Sequence, residues 1–144
     1  MPILNIHLVA SHHAPDKIET LLIKCSALFA EVLNSPVDRI RAYVTEYPAQ
    51  RACIGGKMGG EAEPAPFFTF YVLEGRSLED RQRLLVGFVD LIADVLAVDR
   101  SRIRGCAESI SPEDWTIGGT PASVVRQAEI EARRRAAEAA GGAS

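Results

Sequence analysis

Alternating apolar and polar residues predict that the chain opens with a strand. Over Ile3–Val9 apolar side chains alternate with polar ones around Asn5 and His7, which is the two-residue period of a half-buried strand. Over Asp16–Leu33 the apolar residues return every three or four positions, as in a helix with one buried face. Ile40–Tyr47 is again strand-like, so this part of the chain predicts a β-α-β unit whose helical crossover lets both strands run parallel.

A second unit with the same pattern follows a glycine-rich linker over Ile54–Glu63. Phe67–Leu73 is dense in aromatic and β-branched residues and predicts a strand. Ser77 is a natural N-cap for the next helix, which carries its apolar stripe over Leu84–Leu96. Ile103–Ala107 then predicts a fourth strand.

The two units are copies of each other. Arg39-Ile40-Arg41 returns 63 residues later as Arg102-Ile103-Arg104, and Ile54-Gly55-Gly56 returns as Ile117-Gly118-Gly119. We therefore expect a single domain made of two β-α-β units, residues 2–58 and 66–120, followed by a tail, residues 121–144. The predicted fold class is α+β, a four-stranded mixed sheet with two helices on one face. The other face of the sheet would be left exposed in a single chain, so we also expect a homo-oligomer in which sheets of several copies pack together.

The tail is rich in alanine and in charged residues between Ala122 and Ala140. This composition favours a helix, but the segment has little apolar stripe with which to pack. The sequence therefore assigns no chemistry to the tail.

Composition and charge narrow the class of function. The formal net charge is -3 and the pI is about 5.6, so the chain lacks the basic excess typical of proteins that bind nucleic acids or anionic membranes. Cys25, Cys53 and Cys106 have no metal-ligand spacing and are expected to be reduced. The sequence shows no signal peptide and no apolar run long enough to cross a bilayer. We expect a cytoplasmic protein with no nucleic-acid or membrane partner.

Motifs in the second unit carry a resemblance to a known family. The segment Val72–Ser77, the helix stripe after it, Ile103-Arg104 and Trp115–Gly119 resemble 4-oxalocrotonate tautomerase over a unit of about 60 residues. The first unit resembles a second copy more loosely, so residues 2–125 are similar to fused members of the tautomerase superfamily. These include cis-3-chloroacrylic acid dehalogenase, malonate semialdehyde decarboxylase and macrophage migration inhibitory factor. The resemblance implies the duplicated β-α-β fold and a homotrimer.

The resemblance also implies a catalytic base at the chain terminus. In this superfamily the initiator methionine is removed and the amino-terminal proline is the base, and Pro2 stands at that position behind Met1. An α-amino group has a pKa near ~8, so burial or a nearby guanidinium can leave it neutral and basic at pH 7. If Met1 stays attached, the nitrogen of Pro2 is an amide and cannot act as a base. Pro66 matches Pro2 in the second unit but is internal, so one working base per chain is expected.

The other site residues are carried over from the family position by position. Arg76 and Arg104 match the two family arginines, which bind a substrate carboxylate and polarise a carbonyl or enolate oxygen, tasks that suit a permanently charged guanidinium. Trp115 matches a family aromatic residue that lines the substrate site. In the first unit Arg41 matches Arg104, and His13 stands where Arg76 would be, so both are expected to contribute to substrate binding.

The implied activity is tautomerisation of a small carboxylate substrate, namely a 2-hydroxydienoate, a 2-oxo acid enol or a phenylpyruvate-like enol. Neither a metal nor an organic cofactor is implied, and His12-His13 has no third ligand at metal spacing. Three alternatives remain open. The first is a dehalogenase-like hydratase, which would need a further arginine at the position of Leu73. The second is a decarboxylase, which would need an acidic residue near the end of the first helix, a position that Asp38 matches only loosely. The third is a trimer that binds ligands without catalysis.

Overall fold

The computed structural model describes residues 2–142. Its elements follow the predicted order, and each β-α-β unit is followed by a short hairpin. They are β1 (Ile3–Val9), α1 (Pro15–Leu33), β2 (Arg41–Tyr47), β3 (Cys53–Ile54), β4 (Lys57–Met58), β5 (Phe67–Leu73), α2 (Leu78–Leu96), β6 (Arg104–Ile110), β7 (Thr116–Ile117), β8 (Thr120–Pro121), α3 (Ala122–Val125) and α4 (Gln127–Gly141). Single 3-10 turns precede β2, β3, β6 and β7.

The four long strands form one mixed sheet in the order β2-β1-β5-β6. Strands of the same unit pair in parallel, with Ile3 opposite Arg41 and Phe67 opposite Arg104. The two units join through antiparallel β1 and β5, where Ile3 lies opposite Tyr71. This arrangement confirms the predicted fold class, with both helices on one face of the sheet.

The hydrophobic core lies between the sheet and helices α1 and α2. Every second residue of the central strands β1 and β5, such as Leu4 or Phe70, is buried there. The rings of Phe29, Phe70 and Phe88 pack edge to face, with centroids 5.1–5.6 Å apart. Aromatic pairs of this geometry stabilise a core beyond their buried area. The predicted amphipathic stripes of the two helices therefore form the contact between the units on this side of the β1–β5 junction.

The opposite face of the sheet is open in the single chain. Tyr43 and Phe67 project from that face and are 53% and 41% exposed. The outer strands β2 and β6 are edge strands, which offer unpaired backbone groups to a neighbour. Both features leave room for further copies of the chain.

The two copies differ by one residue in the turn between strand and helix. The strands β1 and β5 are offset by 64 residues, whereas α1 and α2 are offset by 63. The carbonyl oxygen of Pro2 accepts a hydrogen bond from the Arg41 amide, and that of Pro66 accepts one from the Arg104 amide, both at 3.1 Å. Pro66 therefore has the same place in its unit as Pro2.

The repeated glycine pairs form the turns of the two hairpins. Gly55 and Gly56 have φ of 60° and 82°, and Gly118 and Gly119 have φ of 60° and 87°. Glycine is favoured in this left-handed region because it has no Cβ. The sequence predicts these turns, but not the two-residue strands beside them.

The tail forms the two helices α3 and α4. Ala122, the first residue of α3, is fully buried and anchors this segment. None of the residues of α4 is buried. Within residues 2–142, no helix has both the length and the apolar character needed to cross a membrane.

Candidate functional site

A cavity lies at the end of the sheet where β1 begins and β5 ends. Pro2 directly precedes β1, and the antiparallel register brings it beside Val72 and Leu73. The residues that line this cavity, called here the Pro2 cavity, are Pro2, Leu33, Ser35, Arg39, Val72, Leu73, Arg76, Arg126, Glu129 and Arg133. The cavity opens into a wider cleft that reaches Asp80. Elements of both units and the tail therefore meet at Pro2.

Arg76 is a cation of the Pro2 cavity that is held by the end of α1. It follows a turn at Gly75, whose φ is 97°, and its Nη1 donates a hydrogen bond of 2.8 Å to the carbonyl oxygen of Leu33 at the end of α1. The carboxyl-terminal end of a helix carries partial negative charge, so this contact is favourable. Burial and the nearby charge of Arg133 lower the pKa of Arg76, while Asp80 opposes the shift. An arginine remains charged at neutral pH even so.

Arg39 and Glu129 form an ion pair across the cavity. Arg39 comes from the 3-10 turn before β2, and its Nη1 donates to both carboxylate oxygens of Glu129 in α4, at 3.0 and 3.1 Å. Burial on its own would raise the pKa of Glu129. The hydrogen bond and charge of Arg39, with the charges of Arg126 and Arg133, nevertheless bring the pKa below its ordinary value.

Arg133 also extends from α4 into the Pro2 cavity. Burial lowers the pKa of Arg133, and the charge of Glu129 opposes this shift. The Nε atom of Arg133 is buried and has no hydrogen-bond partner. Buried polar atoms normally have a partner, so the Nε of Arg133, like that of Arg81, is left with an unused donor among the described residues of a single chain.

A second cavity, called here the Pro66 cavity, lies around Pro66 at the opposite end of the sheet. It is lined on one side by His12 and His13, which precede α1 as Arg76 precedes α2. Burial and the neighbouring His12 lower the pKa of His13, while Glu46 opposes the shift. His13 is therefore mainly neutral at pH 7, unlike Arg76.

The counterpart of Arg39 in the second unit is Arg102, which has a different task. Its Nε donates to the carbonyl oxygen of Pro64 and its Nη2 to that of Glu63, both at 3.1 Å. These bonds fasten the linker ahead of β5. The duplication therefore yields two cavities of similar origin, of which the Pro2 cavity carries the arginines.

Arg41 and Arg104 lie on the two edge strands. The Nη1 of each donates to carbonyl oxygens of its own 3-10 turn, Asp38 for Arg41 and Ser101 for Arg104. Arg41 starts β2 at the Pro2 end of the sheet. Arg104 starts β6 at the Pro66 end, and the seven-residue β5 separates these ends by about 20 Å. One chain therefore does not bring Arg104 to Pro2.

Trp115 follows β6 and a 3-10 turn, and the carboxyl end of β6 lies at the same end of the sheet as the end of β5, which Arg76 follows. It is half-buried, and its carbonyl oxygen accepts a hydrogen bond of 2.8 Å from the Ala122 amide. Trp115 is not among the residues that line the Pro2 cavity. Of the six site residues expected from sequence, the chain thus brings Pro2 and Arg76 together and places His13 at the other cavity.

Sequence analysis missed the contributions of Arg39, Glu129 and Arg133. The one signal available was the charge of the tail, which has no apolar stripe to justify a packed helix. In the folded chain the tail contacts the Pro2 cavity through an ion pair between residues 90 positions apart. Such a contact leaves no local pattern in the sequence.

Comparison with known proteins supports the fold. No protein-family model matches the chain, and the sequence search of curated proteins gives no match. Among solved structures, Pt0534 inactivated by 2-oxo-3-pentynoate has a TM-score of 0.78 and 18% identity, covering 85% of this chain and 98% of that one. Native fused 4-OT has a TM-score of 0.77 and 23% identity, covering 85% and 97%. Macrophage migration inhibitory factor of Toxoplasma gondii has a TM-score of 0.68 and 17% identity, covering 83% and 98%. The chain has the fold that these structures share.

Proposed function

We propose that the chain is a tautomerase whose base is the nitrogen of Pro2, exposed by removal of Met1. It would move a proton between oxygen and carbon of a small 2-hydroxydienoate or 2-oxo acid enol. The observation that carries this proposal is the shared cavity of Pro2 and Arg76. A base and a fixed guanidinium side by side are what such a reaction needs.

Pro2 supplies the base because a terminal proline is a secondary amine. Pro2 is buried, and its cavity holds cations, both of which disfavour the protonated form of an amine. A neutral amine at pH 7 takes the proton from the enol hydroxyl or an acidic carbon and returns it elsewhere on the substrate. Pro66 has an acylated nitrogen, so each chain provides one base.

Arg76 holds the substrate carboxylate in this mechanism. Its hydrogen bond to Leu33 fixes one side of the guanidinium in advance, and the other donors remain for the ligand. A preorganised cation costs little reorganisation when charge develops on the substrate.

Arg104 is proposed to reach Pro2 from a neighbouring chain of a homotrimer. It lies on an edge strand, about 20 Å along the sheet from Pro2 of its own chain. Structures of fused 4-OT are described as asymmetric and symmetric trimers. In such a trimer Arg104 would steady the developing oxyanion. Arg41 and Trp115 are proposed to line the same composite site, and His13 to bind ligand in the Pro66 cavity.

The presence of Glu129 bears on the hydratase alternative. A hydratase needs a carboxylate that activates water, and Glu129 is the one carboxylate that lines the Pro2 cavity within residues 2–142. Both of its oxygens accept from Arg39, and its pKa is lowered, which makes it a weak base. Asp38, the acid considered for the decarboxylase alternative, is exposed and does not line the cavity. Tautomerisation is therefore the better supported function.

The test is conversion of enol to ketone by the purified chain. Intact-mass spectrometry first shows whether Met1 is absent. The chain is then assayed with 2-hydroxymuconate and phenylenolpyruvate, and catalysed ketonisation of at least one of them is expected. A processed chain that accelerates neither reaction would overturn the proposal in favour of a binding trimer or another chemistry.

A reagent offers an independent test of the base. Pt0534 is inactivated by 2-oxo-3-pentynoate. This compound is an activated alkyne with a carboxylate, so a neutral amine beside an arginine should add to it. We expect peptide mapping to find the rapidly formed adduct on Pro2, and labelling at the same position to be much slower in Pro2→Ala, whose terminal nitrogen is a primary amine. Labelling elsewhere with Pro2 unmodified would contradict the assignment.

A further inference from the structure

Helix α4 contributes charged side chains to the Pro2 cavity although none of its residues is buried. Arg126, just before α4, and Glu129 and Arg133 within it all line the cavity. Hydrophobic packing does not account for this placement. The ion pair between Arg39 and Glu129 links α4 to the turn before β2.

The lining of the cavity has more positive than negative charge. Arg39 is neutralised by Glu129, which leaves Arg76, Arg126 and Arg133 without a carboxylate of their own in the cavity, among the residues described. Arg76 and Arg133 lie close enough for the charge of one to affect the pKa of the other. Like charges held together repel, and a bound anion between them would remove the repulsion.

Arg133 differs from the arginines that follow it in the sequence. Arg134 lies 3.8 Å from Glu138 and Arg135 lies 3.9 Å from Glu131, so each has an acid one helical turn away. Arg133 instead points into the cavity, where its Nε is buried without a partner. The unused donor and the excess charge independently indicate an anionic ligand.

We propose that Arg133 binds the substrate carboxylate together with Arg76, and that the Arg39–Glu129 pair holds α4 in place for this contact. The tail is then part of the site and not an appendage. Assigning the ligand as substrate rests on the proposed function, whereas binding of a carboxylate at this position does not. Arg133 is thus a specificity-determining residue whose role can be measured without catalysis.

Binding of cinnamate tests this role. Cinnamate is phenylenolpyruvate without its enol hydroxyl, so it presents the carboxylate and ring but undergoes no proton transfer. We expect the Kd of cinnamate to rise about tenfold or more in Arg133→Ala, because a charge-assisted hydrogen bond is lost. Arg133→Lys should recover part of the affinity, since it keeps the charge but loses the fork.

Arg134→Ala is the matched control. It removes a neighbouring arginine of the same helix that pairs only with Glu138 and is 69% exposed. Its Kd should stay within about twofold of wild type. Equal loss in Arg133→Ala and Arg134→Ala, no change in Arg133→Ala, or no cinnamate binding by the wild type would each overturn the inference. Circular dichroism of each variant verifies that the helices are retained.

Failure of the proposed function gives a different result. If Pro2→Ala converts phenylenolpyruvate as fast as wild type, the base assignment fails. Weaker cinnamate binding by Arg133→Ala would still establish the carboxylate site. Conversely, a catalytic Pro2 with unchanged cinnamate binding in Arg133→Ala would leave the tautomerase intact and remove α4 from its site.

Discussion

Arg76 and His13 occupy matching turns of the two units but differ in charge at neutral pH. Burial lowers the pKa of both side chains, which leaves the histidine mainly neutral and the arginine still protonated. None of the residues described as lining the Pro66 cavity is an arginine or lysine. A substrate carboxylate should therefore prefer the Pro2 cavity.

Replacement of Arg76 tests this preference. In Arg76→Ala we expect kcat/KM for phenylenolpyruvate to fall about 100-fold, because both the carboxylate contact and the positive field at Pro2 are lost. Arg83→Ala removes an exposed arginine within α2, the helix that Arg76 precedes, and serves as the control that should be unaffected. Similar kcat/KM values in Arg76→Ala and Arg83→Ala would show that Arg76 is only a structural cap of α1.

Single residues also show what the sequence could reveal. Pro2 and Arg76 were predicted as neighbours because their family motifs survive, and the cavity contains both. Cys25, which the sequence predicts to be reduced, lies on the buried face of α1, and its burial raises the pKa of the thiol to about 12. Glu129 and Arg133 could not be found, because their partners come from distant parts of the chain.

At the scale of elements, the duplication provides a natural comparison of two helix starts. The hydroxyl of Ser77 accepts a hydrogen bond of 3.0 Å from the Asp80 amide at the start of α2, as the sequence predicts. Ala14 has the same extended backbone at the start of α1 but makes no side-chain bond. The two helices are otherwise of equal length, 19 residues each.

Substitutions at the two N-cap positions should change the free energy of unfolding in opposite directions. Ser77→Ala is expected to lower the free energy of unfolding by about 1 kcal/mol, and Ala14→Ser to raise it by about 0.5 kcal/mol. Urea denaturation at one fixed protein concentration measures both changes. Loss of stability in Ala14→Ser would mean that the extra residue in the first turn prevents capping.

Helix α4 should loosen in acid. Because the pKa of Glu129 is lowered in the folded chain, the stability that its carboxylate contributes is present above pH ~4.3 and is lost as the pH falls through the lowered value. At pH 6 we expect Glu129→Gln to lower the hydrogen-exchange protection of α4 about two- to fivefold, the range for a partly exposed ion pair. Glu138→Gln, which affects only a pair within the helix, is the control. Unchanged protection of α4 in Glu129→Gln would show that the ion pair does not fasten it.

The elements themselves were predictable to different degrees. The long strands and helices have a clear period, so their order along the chain and the parallel pairing within each unit follow from sequence, whereas the antiparallel pairing of β1 with β5 does not. The hairpins β3–β4 and β7–β8 have strands of two residues, too short to show a period, and only their glycine turns were expected. The placement of α4 depends on charge and not on periodicity.

At the scale of the whole molecule, the open sheet face and the edge strands indicate that one chain is incomplete. Tyr43 and Phe67 are exposed on that face, and Arg104 is remote from Pro2 of its own chain. A closed symmetric assembly resolves both features, since a neighbouring β6 can present Arg104 to the Pro2 cavity. The assembly is therefore proposed to be part of the active site.

Mixing inactive chains tests the shared site. Pro2→Ala and Arg104→Ala are each expected to be nearly inactive, while trimers reassembled from a 1:1 mixture should recover about a quarter of wild-type activity, because one site in four combines both intact residues. Native mass spectrometry should give about 47 kDa, three times the chain mass of 15.6 kDa. A monomer, or a mixed trimer without recovered activity, would contradict the assignment of Arg104.

The two matched prolines offer the most direct test of the central claim, that the amine of Pro2 is the base. The measurement is kcat/KM with phenylenolpyruvate for wild type, Pro2→Ala and Pro66→Ala, each with Met1 shown to be absent by intact mass. Pro2 and Pro66 are both buried and hold equivalent places, but only Pro2 would have a free nitrogen. We predict at least a tenfold loss in Pro2→Ala and a change within about twofold in Pro66→Ala. Wild-type turnover by Pro2→Ala would contradict the account.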